Sequence, residues 1–383
     1  MRKTARSQTA PSVVSEHKMP QLDALRAFAV CAVMFVHFVS HAPGWLLRVP
    51  WAAAGVELFF VLSGFLITGI LLDSRKRVDA GAARPWWMLR QFYARRFLRI
   101  FPLYYAVIVA GRIIHLNGYT ETFGWNLAYL TNFYIVMKGE WIGAASHLWT
   151  LSVEEQFYIV WPWVVFFLPK RWLLPTFLGI VVFAVAYRAV AFYWFGPWVN
   201  STPFASFDCF GAGALLAMAQ RRDCEGSPQL RRALCIVGLS VGIPLLVIAL
   251  AGQFSPQSIP GRLGAMNFAM TLVFVPLISG AASGFTGLAG MVLMLRPIRY
   301  IGKISYGIYI YHVPVSWLIA DSKWLKMLPR FIPHSVVFFV VTVAVAALSW
   351  HVFERPINQL KRLFPYREAG TESSMDPQVA AAA

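Results

Sequence analysis

The chain of 383 residues is 58% hydrophobic and only 13% charged, whereas an average soluble domain is about a quarter charged. That balance, with a mean hydropathy of +0.58, excludes a soluble enzyme, and long apolar runs in place of alternating ten-residue strands exclude a membrane barrel. The formal net charge of +17 does not mark a nucleic-acid binder, because the cations gather in alternate segments between apolar runs, the positive-inside pattern.

Residues 1–20 are polar and basic and read as a disordered tail. Apolar runs of spanning length follow at about 22–40, 52–72, 100–117, 148–168, 172–195, 204–220, 233–252, 263–283, 303–320 and 334–353. Residues 361–383 read as a second disordered tail, and 21–360 as one membrane domain. The fold class is therefore all-α: a polytopic membrane protein of about ten transmembrane helices. Ten spans put both termini on one side. Lys and Arg number 25 on that side and 6 on the other, which places both termini in the cytoplasm. Four cysteines, Cys31, Cys209, Cys224 and Cys235, show no metal-ligand spacing and read as packing residues or free thiols.

Ionisable residues inside the spans carry the chemistry, since a charge in lipid is costly unless it faces a protein interior or a wet cavity. Arg26 and His37 lie eleven residues apart in the first run, so they share one helix face about 16 Å apart along the axis. The topology puts Arg26 near the cytoplasm and His37 in the outer half. Glu57, Glu154 and Glu155 share that outer half, and His147 lies one or two turns above the Glu pair. His312 follows Tyr309 by one turn and Ser305 by two. An imidazole beside a carboxylate away from bulk water is a general-base arrangement. The blander reading of each is a buried side chain satisfied across helices. Arg188 reads as a structural ion-pair partner. The run Arg95, Arg96, Phe97, Leu98, Arg99 reads either as a lipid anchor or as a phosphate-binding cluster. Gly211 and Gly213 follow no strand and read as a close helix contact, not a nucleotide loop.

Several stretches together resemble the acyltransferase-3 family of membrane acyltransferases. They are LDALRAFAVCAVMFVHF in the first run, GVELFFVLSGFLI in the second, RRFLRIFPLYY into the third and HLWTLSVEEQFYIVWP into the fourth. ISYGIYIYHVPV in the ninth run and FERPI after the tenth complete the series. The resemblance covers roughly residues 20–360, and spans five to eight match weakly. Glu57 stands where many members have Asp. Some members carry an extra hydrolase-like domain after the tenth span, so the chain resembles a stand-alone member.

The resemblance implies O-acyl transfer, most commonly of acetyl, from cytoplasmic acyl-CoA to a hydroxyl of a carbohydrate or glycosylated acceptor. Such acceptors include a surface polysaccharide, a lipid-linked sugar or a macrolide-type metabolite. It implies a multi-pass protein of the cytoplasmic (inner) membrane whose partners are acyl-CoA, the acceptor and the bilayer. No bound cofactor or metal is implied; acyl-CoA is a co-substrate. By position, His37 is the implied base, with Arg26 in the same essential pair and Glu154 the motif carboxylate orienting the imidazole. Arg95, Arg96 and Arg99 are the implied donor-binding cluster. Asp23, Glu57, His147, Ser305, Tyr309 and His312 are supporting candidates, with Tyr309 or Ser305 as donors to an oxyanion. The competing reading is a secondary transporter or flippase relaying protons through buried His and Glu. No internal repeat supports it: the His-bearing face of the first run has no counterpart in the sixth.

Overall fold

The computed structural model describes residues 19–39, 43–47, 49–221, 227–252, 260–320 and, with short breaks, 322–366. The two terminal tails read as disordered fall mostly outside the described residues, as does Cys224. Every regular element among the described residues is helical. Helix α1 runs Pro20–Phe38, α2 Trp51–Asp79, α3 Pro85–Ile113, α4 Thr131–Lys138, α5 Leu148–Phe167, α6 Lys170–Phe195 and α7 Phe207–Ala219. Helix α8 joins Ser227–Val237 to Ile243–Gly252 through the π-helical turn Gly238–Gly242, and α9 is Pro260–Ser283. The last three are α10 Arg296–Lys303, α11 Ser305–Ala320 and α12 His334–Ser349, which continues through a π-helical turn, Trp350–Glu354. Proline opens α1 and α3, where its missing N–H has no intrahelical partner to lose.

Among the described residues six helices are long and apolar enough to cross a membrane: Pro20–Phe38, Trp51–Asp79, Lys170–Ser201, Pro228–Ala251, Gly264–Ser283 and His334–Leu363. The other four sequence-read spans are helical but differ from the expectation. The run at 100–117 is the second half of α3, which begins at Pro85 and takes much of the basic segment into the same rod. Charges had marked that segment as a loop, but arginine is a good helix former. The run at 204–220 opens with 3₁₀ turns, leaving α7 thirteen residues, or about 20 Å. Every residue from Asp208 to Ala219 in it is buried, so protein surrounds it. Helix α11 has sixteen residues, and α5 carries two glutamates.

Close packing of α7 on α2 depends on absent side chains. A Cβ on Gly213 would overlap the Val61 carbonyl oxygen, and one on Gly64 would overlap the backbone of Phe210. The small-residue reading of Gly213 is thus a real backbone approach. Arg188 of α6 pairs with Asp208 of α7 at 2.6 Å, both side chains almost fully buried. The exposed apolar side chains of α6, α8 and α12, such as Val182, Ile248 and Leu348, form the lipid-facing surface.

Two apolar clusters make the core. One gathers around α2, α5, α7 and α9, the other around α1, the second half of α3 and α11. At the start of α1, the Gln21 amide donates to the Phe285 carbonyl at 2.9 Å and accepts from the Phe285 N–H at 2.7 Å. This ties α1 to the loop after α9.

Candidate active site

A cavity of about 120 Å³ lies on the seam between the two clusters. Helix α1 contributes Arg26, held by Asp23 at 2.8 Å across one turn. Helix α3 contributes Arg96 and Arg99, three residues apart on a continuous rod and therefore on nearly the same face. The Arg96 guanidinium stacks over the Tyr158 ring at 4.7 Å, and Arg99 over Trp350 at 5.6 Å. Three guanidiniums therefore meet in one space, held by one carboxylate and two aromatic faces.

Helix α5 supplies Thr150, Glu154 and Tyr158, spaced four residues apart and so aligned in one stripe. Ser63 of α2 donates to Glu154 at 2.8 Å, and the Tyr158 hydroxyl donates to Ser63 at 2.9 Å. Glu155 also lines the cavity, with Oε1 buried and unpartnered. Helix α11 supplies Ser305, Tyr306 and Tyr309. Thr150 Oγ1 and Tyr309 Oη lie 2.6 Å apart, and each is 3.1 Å from the His147 carbonyl oxygen.

Tyr309 is also the boundary to a second group of side chains. Its ring centroid is 5.2 Å from that of His312 and 5.8 Å from that of His147. His312 in turn stands 4.9 Å from His37 and 5.0 Å from His147, both edge to face. The three imidazoles thus form a row with His312 in the middle. Local sequence explains two of its anchors. Pro314 has no N–H, so the Ile310 carbonyl one turn earlier loses its helical partner, and His147 Nε2 donates to it at 3.1 Å. His312 Nδ1 donates to the Tyr309 carbonyl at 2.5 Å. His312 is fully buried, whereas His37 is exposed on its outer side. Among the described residues no group of three or more His, Cys, Asp or Glu is disposed to hold a metal ion.

The shared face of Arg26 and His37 is therefore split between two neighbouring compartments. Arg26 and Ser305 share the cavity; His37 and His312 share the row, seven residues further along α11. Glu154 takes its hydrogen bond from Ser63 and not from an imidazole, and the ring packed on His37 is His312. Arg95 does not line the cavity. It donates to the carbonyls of Lys361 and Phe364 and stacks on Tyr366, which ties α3 to the C-terminal segment. Glu57 also stands outside, on the other face of α2, with both carboxylate oxygens buried and unpartnered; its charged neighbours are Asp208 and Arg188. Sequence reading missed Ser63, Thr150, Tyr158 and Tyr306. The four-residue spacing around Glu154 would have found Thr150 and Tyr158.

The sequence profile of the acyltransferase domain matches residues 19–351. Peptidoglycan O-acetyltransferase OatA of Listeria monocytogenes is 28% identical over 377 residues, covering 90% of this chain and 56% of that protein. Putative peptidoglycan O-acetyltransferase YrhL of Bacillus subtilis is 29% identical over 366 residues, 88% of this chain and 55% of its own length. O-acetyltransferase OatA of Staphylococcus aureus is 25% identical, with 90% and 58% covered. The chain thus spans a little over half the length of these relatives. No solved structure matches it. A helical bundle with apolar membrane-length helices, three arginines in one cavity with a row of imidazoles beside it, and a profile match over most of its length together place this chain in the acyltransferase-3 family of membrane acyltransferases.

Proposed function

We propose that the chain moves an acyl group, in the first instance acetyl, from cytoplasmic acyl-CoA to a hydroxyl of a carbohydrate acceptor. In this reading both termini are cytoplasmic, the protein lies in the cytoplasmic membrane, and the acceptor arrives from the opposite face. The relatives' names point to peptidoglycan as the first acceptor to try. The observation that carries the reading is the meeting of Arg26, Arg96 and Arg99 in one cavity that ends at Tyr309, next to the imidazole row.

The arginines bind the phosphates of CoA, for which the planar guanidinium fork is suited. The slim pantetheine arm enters the cavity and brings its thioester towards Tyr309. The Tyr309–Thr150 hydrogen bond then has to open, at a net cost of about 1 kcal/mol, which binding energy readily offsets. His37 takes the proton of the acceptor hydroxyl as its oxygen attacks the thioester carbonyl. Tyr309 or Ser305 donates to the oxyanion. The C–S bond breaks, the thiolate recovers the proton from His37, and the products are the O-acyl ester and CoA. Glu154, beside the guanidiniums and held by Ser63, balances their charge when no donor is bound.

The test uses the full chain in lipid nanodiscs with acetyl-CoA and an N-acetylglucosamine oligosaccharide, the acetylated product being read by mass spectrometry. His37→Ala is expected to abolish transfer while the protein stays monodisperse. Arg96→Gln with Arg99→Gln is expected to raise the KM for acetyl-CoA about 10-fold or more, the scale of lost charge-assisted hydrogen bonds. An unchanged donor KM returns the arginines to lipid anchoring, and near-normal turnover by His37→Ala removes the base.

A further inference from the structure

Backbone carbonyls assign the protons of two of the three neutral imidazoles, His312 and His147. A carbonyl oxygen only accepts, so the nitrogens that face carbonyls must carry hydrogen. His312 Nδ1 faces the Tyr309 carbonyl, which leaves the neutral ring a lone pair on Nε2. That Nε2 is buried and has no hydrogen-bond partner. His147 Nε2 faces the Ile310 carbonyl, so its neutral ring also offers only a lone pair on the other nitrogen. Two lone pairs cannot bond to each other. The remaining ring in the row is His37, and no hydrogen bond engages it among the described residues. Its centroid lies 4.9 Å from that of His312 with the rings edge to face, so a turn of the His37 side chain about χ2 brings one of its nitrogens to the unpartnered His312 Nε2.

We propose that His312 is the positioning residue for His37. Its Nε2 accepts the single N–H of neutral His37, which turns the unprotonated nitrogen of His37 towards the acceptor hydroxyl. This deepens the reading of His37 as the base and rests on it. His312 does the work that a buried carboxylate does in a Ser-His-Asp triad: it fixes the tautomer and orientation of the working imidazole. It stays neutral throughout. When His37 takes the hydroxyl proton it becomes an imidazolium, with one N–H on His312 Nε2 and the new one facing the leaving thiolate, which removes it. The His312–His37 bond is then charge-assisted and strongest as the transition state forms, so its effect belongs in kcat. His312 is fully buried and its Nδ1 is fixed by its own helix, so its ring offers a rigid acceptor.

The test compares His312→Phe, which keeps the ring volume and removes the acceptor, with His312→Gln, which restores a carbonyl oxygen. Both are assayed as full chain in nanodiscs with acetyl-CoA and the same oligosaccharide. His312→Phe is expected to lower kcat about 10- to 100-fold with the KM for acetyl-CoA unchanged, and His312→Gln to recover part of the loss. Adding His312→Phe to His37→Ala is expected to cost nothing further. Wild-type kcat in His312→Phe, alongside an inactive His37→Ala, overturns the positioning role and leaves the base intact. An active His37→Ala overturns the underlying reading instead. Nitrogen-15 spectra of histidine-labelled protein test the bond without altering His312. The His312 Nε2 resonance is expected to be that of an unprotonated acceptor and to shift in His37→Ala; a protonated Nε2, or no shift, ends the proposal.

Discussion

Glu154 shows how a single residue is placed by what lies around its helix. The side chains that hold it sit on two elements: Ser63, 91 residues away on α2, donates to it, and Tyr158, one turn away on α5, donates to Ser63. Removing the Ser63 hydroxyl leaves a carboxylate oxygen without its donor, a loss of about 1.5–3 kcal/mol for a bond to a charged group. Ser63→Ala is therefore expected to reduce kcat/KM for acetyl-CoA about 10- to 100-fold, and Tyr158→Phe by less, because Ser63 still donates to Glu154. Steady-state kinetics on both variants decide it, and a Ser63→Ala enzyme at wild-type efficiency rules it out. This half of the site was partly legible. Arg26, His37 and Glu154 stand out as charges inside apolar runs, whereas Arg96 and Arg99 precede the third run, where charge alone left lipid anchor and phosphate cluster both open. Ser63 does not, because a lone serine in an apolar helix looks the same whether it faces lipid, a neighbour's backbone or a carboxylate. The middle place of His312 in the imidazole row was equally hidden, since it depends on how α1, α5 and α11 cross.

At the scale of elements, apolar length proved a poor guide where protein replaces lipid. Helix α7 is too short to span and buried throughout, and only contact with its neighbours explains how it is stable. Helix α3 shows the reverse error. Its basic first half reads as a loop, yet its continuity as a helix is what brings Arg96 and Arg99 to one face. The glycine contact between α2 and α7 gives a direct check. Gly64→Val forces the two backbones apart and is expected to destabilise the bundle by about 1–3 kcal/mol or more, the usual cost of overpacking. Gly179→Ala, where a Cβ meets open space on α6, is expected to leave the melting temperature unchanged or slightly raised. Fluorescence-monitored melting in detergent separates the two, and equal melting temperatures refute the close-contact account.

For the whole molecule, the direction of the site depends on which side the arginine cavity faces. In the proposed reading the uneven loop charges orient the chain with its termini inside; the six apolar helices are long enough to give the bundle its membrane contact. A fluorescent-protein fusion after Ala82 or Leu363 is accordingly expected to mature, as it does in the cytoplasm, and an alkaline phosphatase fusion after Lys138 to be active outside. The opposite pattern would put the arginines away from the CoA pool and end the donor reading.

The Gln21–Phe285 clamp joins residues 264 positions apart in the chain. At about 5–20 residues per second, synthesis reaches Phe285 tens of seconds after Gln21 has left the ribosome. Until then the first helix to be made has an amide without its match, a few residues from Arg26. An interrupted chain ending before this loop thus lacks the latch that closes the arginine end of the bundle. The helix begun first is among the last to be locked, and the finished site certifies that most of the polypeptide has been made.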